Sequence, residues 1–326
     1  DHLSAGRKLI YGVGDVGNAM SNSAIQFFLL VFLTDGALIA PALASSALLV
    51  GKIWDAINDP LFGWISDRTT SRFGKRRVWM IFGSVPLALS IVLLWRVPLG
   101  IPDIAVFAWI AFAFIFYDTM NTLTSVPYYA LTAELTEDYD ERASLTTYRM
   151  VLGVPAYLVG AAVTPLLVGL FATKRDGYGA VGIIYGIIAA AVLLISAAGI
   201  RERAKYSETR STTPPIKSFT ATFKNRPFLQ LIGAYLIASV AFALMQTLLA
   251  YFLTYQLDME AQVPLIMALL LVTIGLFLFP MKMLSERWNK GPAYAMGLAI
   301  AGLAVGATFL LPAGPSPWIY AVSYTH

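Results

Sequence analysis

Cysteine is absent from the chain, which removes disulfides, thiolate nucleophiles and cysteine-ligated metals. Histidine is nearly absent: its two copies, His2 and His326, sit at the extreme ends and leave no imidazole for an interior site. Charge is the third scarcity. Only 13% of the 326 residues are charged, against 58% hydrophobic, and the mean hydropathy is +0.68, so there is too little polar surface to coat a soluble globule of this size. No phosphate-cradling glycine-rich lysine loop and no nucleophile–base pair are visible, which argues against ATP as a driver and against an enzyme. What remains is the composition of an all-α polytopic membrane protein.

Apolar stretches of about 20 residues, the length of helix that crosses roughly 30 Å of hydrocarbon, recur near 9–34, 40–66, 77–98, 103–132, 145–171, 178–200, 227–256, 262–283 and 291–312, with a tenth beginning at Trp318. The longest polar stretch, 201–226, carries seven basic residues and Pro214-Pro215 and reads as a linker between two bundles. The expected organisation is therefore a six-helix bundle over 1–200, a cytoplasmic linker over 201–226, and an incomplete second bundle over 227–326. If the amino terminus and the linker face the cytoplasm, every Lys and Arg of the twenty-three lies in or beside an inward segment except Lys52, Arg96, Lys174 and Arg175, as the positive-inside rule demands. The pI near 9.1 thus reflects topology and points to no nucleic-acid partner. A loop at Pro280–Gly291 stands to spans eight and nine as the Asp67–Arg77 hairpin stands to spans two and three. That six-helix offset is expected of parallel repeats holding a substrate between them.

Two aspartates interrupt the second span. Asp55 and Asp59 are one helical turn apart in Trp54-Asp55-Ala56-Ile57-Asn58-Asp59-Pro60 and share a helix face. A carboxylate near a bilayer centre costs at least roughly 3 kcal/mol, so the pair needs a cation or a water-filled cavity. Asn58 adds an amide oxygen and Thr122 of the fourth span a hydroxyl, a hard-oxygen set suited to Na⁺, while the same carboxylates can take H⁺ instead. The plainer alternative is that Asp59 caps or pairs with the neighbouring loop and Lys52 neutralises Asp55. The fourth span carries a polar stripe of Asp118, Asn121, Thr122 and Ser125 that is costly against lipid and is expected to face a central cavity. Arg149, at the start of the fifth span, offers a bidentate donor.

Gly63-Trp64-Ile65-Ser66-Asp67-Arg68, followed by Gly74-Lys75-Arg76-Arg77, resembles the loop-two/three signature of the major facilitator superfamily. The Trp54–Pro60 motif is similar to that of the glycoside-pentoside-hexuronide:cation symporters, and Tyr11-Gly12-Val13-Gly14-Asp15 and Val126-Pro127-Tyr128-Tyr129 add to the match. The resemblance implies two six-helix bundles in the full protein and secondary active transport by alternating access, with a cation, Na⁺ or H⁺, coupled to a sugar or glycoside and no other cofactor. It implies a monomer in the lipid bilayer of a bacterial cytoplasmic membrane. It assigns cation binding to Asp55, Asn58, Asp59 and Thr122, with Na⁺ possible at Asp55 and Asp59. It assigns gating to Gly63, Asp67, Arg68, Gly74, Lys75 and Arg76, whose basic members can meet the acids from Glu134 to Glu141. A hairpin that only sets topology is the plainer reading of those residues.

For substrate, the expected set is Asp15, Asn18, Asp118, Ser125, Tyr129 and Arg149. The sugar-binding acids of melibiose-type relatives fall at Ala19 and Ser125 here, a departure that admits a second cargo class, lipid-like amphipathic solutes, and leaves a packing role open for Asp15 and Asp118. A non-transporting assembly or sensor protein is the third reading, disfavoured by the retained Asp55, Asn58 and Asp59. Relatives have twelve spans. The chain begins at Asp1 and ends in the polar Val322–His326, so it reads as part of a longer protein.

Overall fold

A computed structural model of the chain describes residues 3–98, 100–200, 202, 226–288 and 290–308. The bulk of the 201–226 linker and the expected tenth span lie outside the described residues. Among the described residues the regular structure is entirely helical. Helices α1 (Ala5–Val13) and α2 (Val16–Val31) lead into a π-turn, Phe32–Gly36. Then come α3 (Pro41–Arg68), α4 (Arg77–Leu94), α5 (Asp103–Leu135), α6 (Tyr139–Gly169) and α7 (Lys174–Gly199). Past the linker follow α8 (Arg226–Tyr251), a second π-turn at Phe252–Gln256, a 3₁₀ turn at Glu260–Gln262, α9 (Val263–Trp288) and α10 (Lys290–Thr308).

Among the described residues six segments are long and apolar enough to cross a membrane: Ala5–Gly36, the helices α4, α5, α6 and α7, and Phe228–Gln256. The second span expected from sequence, α3, has the length at 28 residues but not the hydropathy, because Lys52, Asp55, Asn58 and Asp59 dilute its apolar run. The first expected span is not one helix. It tightens at Gly14 and Asp15, whose N–H groups bond back three residues to Tyr11 and Gly12 at 3.1 and 3.2 Å, and this break presents Asp15 to the bundle interior. The expected loop between spans eight and nine is shorter than the Asp67–Arg77 hairpin, since α9 stays helical to Trp288 and α10 starts at Lys290.

Lipid tails are as apolar as leucine, so helices in a membrane are held by close packing and polar contacts more than by burial from water. The closest approaches are correspondingly made at small residues: a Cβ added to Gly160 of α6 would lie 2.5 Å from the Met20 carbonyl of α2. The first bundle's core contains stacked rings. Trp95 and Tyr178 lie parallel at 5.2 Å, and Phe32 packs on both at 5.4 and 5.3 Å, which anchors the first π-turn between α4 and α7. The second group of helices docks through α8 on α2 and α9 on α6.

Candidate functional site

The polar residues of α3 and α5 meet in one cluster. The Asn58 side chain is fully buried and its Nδ2 donates to Asp118 Oδ2 at 3.1 Å. Thr122, also buried, donates its hydroxyl to Asp59 Oδ1 at 2.8 Å. Asp55 stands beside Asp118 and lies 3.7 Å from Lys52 Nζ. The plainer pairing is thus present in part, but Lys52 is 64% exposed, and an exposed pair at that separation contributes little. Trp54 Nε1 is taken up by Thr119 at 2.9 Å, so this aromatic is fixed across the helix pair. Pro60 has no N–H, which leaves the Ala56 carbonyl without its helical partner one turn before.

One atom has a bearing on what the cluster can bind. Asn58 Oδ1 is buried and has no hydrogen-bond partner, and a buried amide oxygen in that state carries a desolvation cost of about 1–3 kcal/mol. The Asn58 amide N–H is given to Asp118 and the Thr122 hydroxyl to Asp59, so neither of those donors is left for it. A hard cation is one group that a buried amide oxygen can accept, although among the described residues no three acids are grouped closely enough to hold a metal ion.

A second cluster gathers α1–α2, α5 and α6. The Tyr129 hydroxyl donates to Asp15 Oδ1 at 3.0 Å and accepts from Asn18 Nδ2 at 3.3 Å. The Arg149 guanidinium lies 4.6 Å above the Tyr129 ring, within electrostatic reach of Asp15. Behind them Tyr11 and Tyr128 stack at 4.9 Å, and each tyrosine hydroxyl is tied to α1 or α5, Tyr128 donating to the Tyr11 carbonyl at 2.6 Å. Ser125 borders a cavity of about 10 Å³ with Asp15 and Asn18, room for about one water molecule. Asp118, expected with this group, lies instead with Asn58. The two sit on the facing sides of α3 and α5, and the i to i+4 spacing from Asp118 to Thr122 keeps both on the α3 side.

The hairpin residues form a third site. Arg76 is buried and tripled: Nη2 to Asp67 at 2.5 Å, Nη1 to Ser66 at 2.7 Å and Nε to Glu134 at 2.9 Å. Gly74 adopts φ +105°, the left-handed region that favours glycine, and this turn aims three consecutive N–H groups, of Lys75, Arg76 and Arg77, at the carboxylate of Glu202 at 2.6–2.8 Å. Glu202 thereby caps the α4 N-terminus, where the helix dipole favours a negative charge. Gly63 faces Val126 of α5. Arg68 stays outside the clamp, 4.1 Å over Trp64. Of the expected acids Glu134 receives the hairpin through Arg76, while Glu141 pairs with Lys8 at 2.8 Å. Sequence reasoning missed Glu202; its only signal was an acid among the linker's basic residues.

Long apolar helices, a break presenting an acid to the bundle interior and a buried carboxylate, Asp118, between α3 and α5 define an integral membrane protein with a transporter's architecture. Solved structures of proton-dependent oligopeptide transporters share this fold: one aligns with a TM-score of 0.66 over 99% of this chain and 81% of its own, at 15% identity. The family model described as MFS/sugar transport protein matches residues 10–325, and the chain belongs to that family. It is 37% identical over 204 residues to an uncharacterised symporter of Synechocystis, covering 61% of this chain but 38% of that protein. It is 29% identical to the sodium-dependent lysophosphatidylcholine symporter 1 of Gallus gallus over 96% of this chain and 70% of the relative. The sphingosine-1-phosphate transporter MFSD2B of Xenopus tropicalis is also 29% identical, over 95% and 70%. The chain thus spans little more than a third of the first relative's length.

Proposed function

We propose that the protein carrying this chain is a cation-coupled symporter working by alternating access. The observation that carries the reading is the α3–α5 cluster: two carboxylates on one turn, a third beside them, and the buried, unpartnered Asn58 Oδ1. In this reading Asp55, Asn58, Asp59 and Thr122 take up the ion, Na⁺ or H⁺, with Asp118 as an added carboxylate. The solute is held by Asp15, Asn18, Tyr129 and Arg149 with Ser125 at the edge, between the bundles formed by 1–200 and 227–326. The hairpin from Asp67 to Arg77 serves as a gate on the cytoplasmic side, in the inner membrane, with the linker on the same side.

For cargo, a sugar or glycoside fits the paired acid, amide and guanidinium of the second cluster, which present donors and acceptors to hydroxyl groups. A lipid-like amphipathic solute is the second reading, favoured by Ala19 and Ser125 in place of acids and by relatives named for lysophosphatidylcholine and sphingosine-1-phosphate. Uptake by the whole protein in proteoliposomes, with an imposed Na⁺ or H⁺ gradient and labelled sugars and lysophospholipids offered in parallel, tests both. Gradient-driven uptake that falls at least tenfold in Asp59→Asn and Asn58→Leu is the expected result. Uptake indifferent to either gradient overturns ion coupling, and uptake of lysophospholipid alone overturns the sugar reading.

A further inference from the structure

A cavity of about 360 Å³ lies where α2, α6, α7, α8 and α9 come together, within the size range of small-molecule sites. It shares no lining residue with either polar cluster described above, and Asp35 on its wall is separated from Asp15 by roughly 30 Å of helix. One side of the wall is apolar, formed by Phe28 and Val31 of α2, Val168 of α6 and Val263 of α9. The other side is ionic. Its charged residues are Asp35, Lys174 and Glu260, two carboxylates to one ammonium, so the wall carries an excess of one negative charge.

That excess is not removed nearby. Asp35 accepts from the Thr34 hydroxyl at 2.8 Å and from the Tyr255 hydroxyl at 2.7 Å, neutral donors that solvate the carboxylate and leave its charge in place. Lys174 is shared, 4.0 Å from Asp35 and 2.5 Å from Glu260, and one ammonium cannot cancel both. The next two charges along α7 are of opposite sign and turn elsewhere: Arg175 donates to the Val97 carbonyl at 2.6 Å, and Asp176 accepts from the Thr173 hydroxyl at 2.7 Å. Tyr178 points to a ligand independently. It is only 4% exposed, lines the cavity and stands within electrostatic reach of Asp35 and Glu260, yet its hydroxyl makes no hydrogen bond among the described residues. A buried hydroxyl in that state carries a desolvation penalty that a bound polar group removes.

An inorganic cation answers the charge and leaves the apolar side unused, while an alkyl chain or a neutral solute does the reverse. We propose that this cavity is a binding site for an organic monocation with an apolar body, its ammonium set against Asp35 and Glu260 beside the Tyr178 hydroxyl and its body on Phe28 and the aliphatic wall. The site goes beyond the symport reading and does not depend on it. The absence of cysteine from the chain gives a background for single thiols, and in nanodiscs both faces of the whole protein are open to reagent. Thr254→Cys places a thiol on the cavity wall. Its rate with a trimethylammonium-bearing methanethiosulfonate over that with the sulfonate-bearing one, normalised to the same ratio for free 2-mercaptoethanol, is expected to favour the cation about tenfold. Asp35→Asn or Glu260→Gln should cut that preference about threefold, and Lys174→Met should raise it by about the same factor. With one of the three substitutions opposite in sign, the test survives the misfolding of any one variant. Benzyltrimethylammonium at millimolar concentration should slow modification of Thr254→Cys by the sulfonate reagent about fivefold, while benzenesulfonate and the zwitterion glycerophosphocholine leave it unchanged. A ratio equal to that of the free thiol, a preference unmoved by all three substitutions, or protection by glycerophosphocholine and not by benzyltrimethylammonium overturns the site and leaves the symport reading standing. Uptake indifferent to any ion gradient with the charge preference and the protection intact does the reverse.

Discussion

The two ends of α3 border opposite kinds of junction. At the Arg68 end the ion pairs have a buried member and lie within the first bundle: Arg76 and Glu134 have side chains only 7% and 10% exposed, Lys8 meets Glu141 at 12% and 7%, and Asp67 on Arg76 is 40% exposed. At the Pro41 end, near the first π-turn, Lys174 at 43% exposed reaches across to Glu260 at 58%, while Asp35, 4.0 Å from Lys174, is only 12% exposed. Buried pairs lose several kcal/mol when one member is removed because the other is left charged and dry, whereas exposed pairs lose little. The hairpin end therefore depends on its buried ion pairs, and the π-turn end on its apolar centre of Phe32, Leu33, Leu253 and Leu257, with the exposed Lys174–Glu260 pair adding little.

This contrast can be broken most severely at Arg76. Arg76→Ala leaves Glu134 and Asp67 without their guanidinium and is expected to cost about 3–5 kcal/mol, visible as a large fall in the thermal unfolding temperature of the detergent-solubilised protein. Gly74→Ala comes next. Its φ of +105° is strained for any Cβ, and that Cβ would sit 2.6 Å from Glu202 Oε1, so a loss of about 1–3 kcal/mol is expected, with Gly74→Asn tolerated no better because the carboxylate is in the way. The smallest effect has the opposite sign. Leu38→Gly relieves a positive φ on an exposed leucine and is expected to be neutral or to stabilise by up to about 1 kcal/mol, a gain read in the same unfolding assay. Equal losses from Arg76→Ala and from Tyr255→Phe would erase the distinction between the two ends.

Much of this was legible in the residues. Helical length and apolar runs located the elements, and the α3 motif located the acidic cluster, because carboxylates stand out where charge is scarce and an i to i+4 spacing fixes their common face. Asp118, expected beside Asp15 and Tyr129, sits with Asn58. Its stripe on α5 was visible, but which neighbouring helix the stripe faces depends on packing between residues 60 positions apart. Glu202 was missed for the same reason, being 127 positions from Lys75. The repeat was sought in two hairpins of similar charge, and the structure adds a second pair of matching segments, the π-turns that open on Phe32-Leu33-Thr34 and Phe252-Leu253-Thr254. Three apolar or neutral residues draw no notice in a chain made mostly of such residues, and only backbone geometry marks them.

Among the described residues the acidic cluster is built from α3 and α5. Rotation of one bundle against the other therefore need not assemble or dismantle it. A ligand that binds two states equally well shifts nothing between them, so an ion held there acts on the switch only through a difference in its affinity between the two facing states. In a symporter with this cluster as its ion site, the ion's energetic say comes from the charge it cancels beside the solute, and the choice of which side to face belongs to whatever bridges the two bundles.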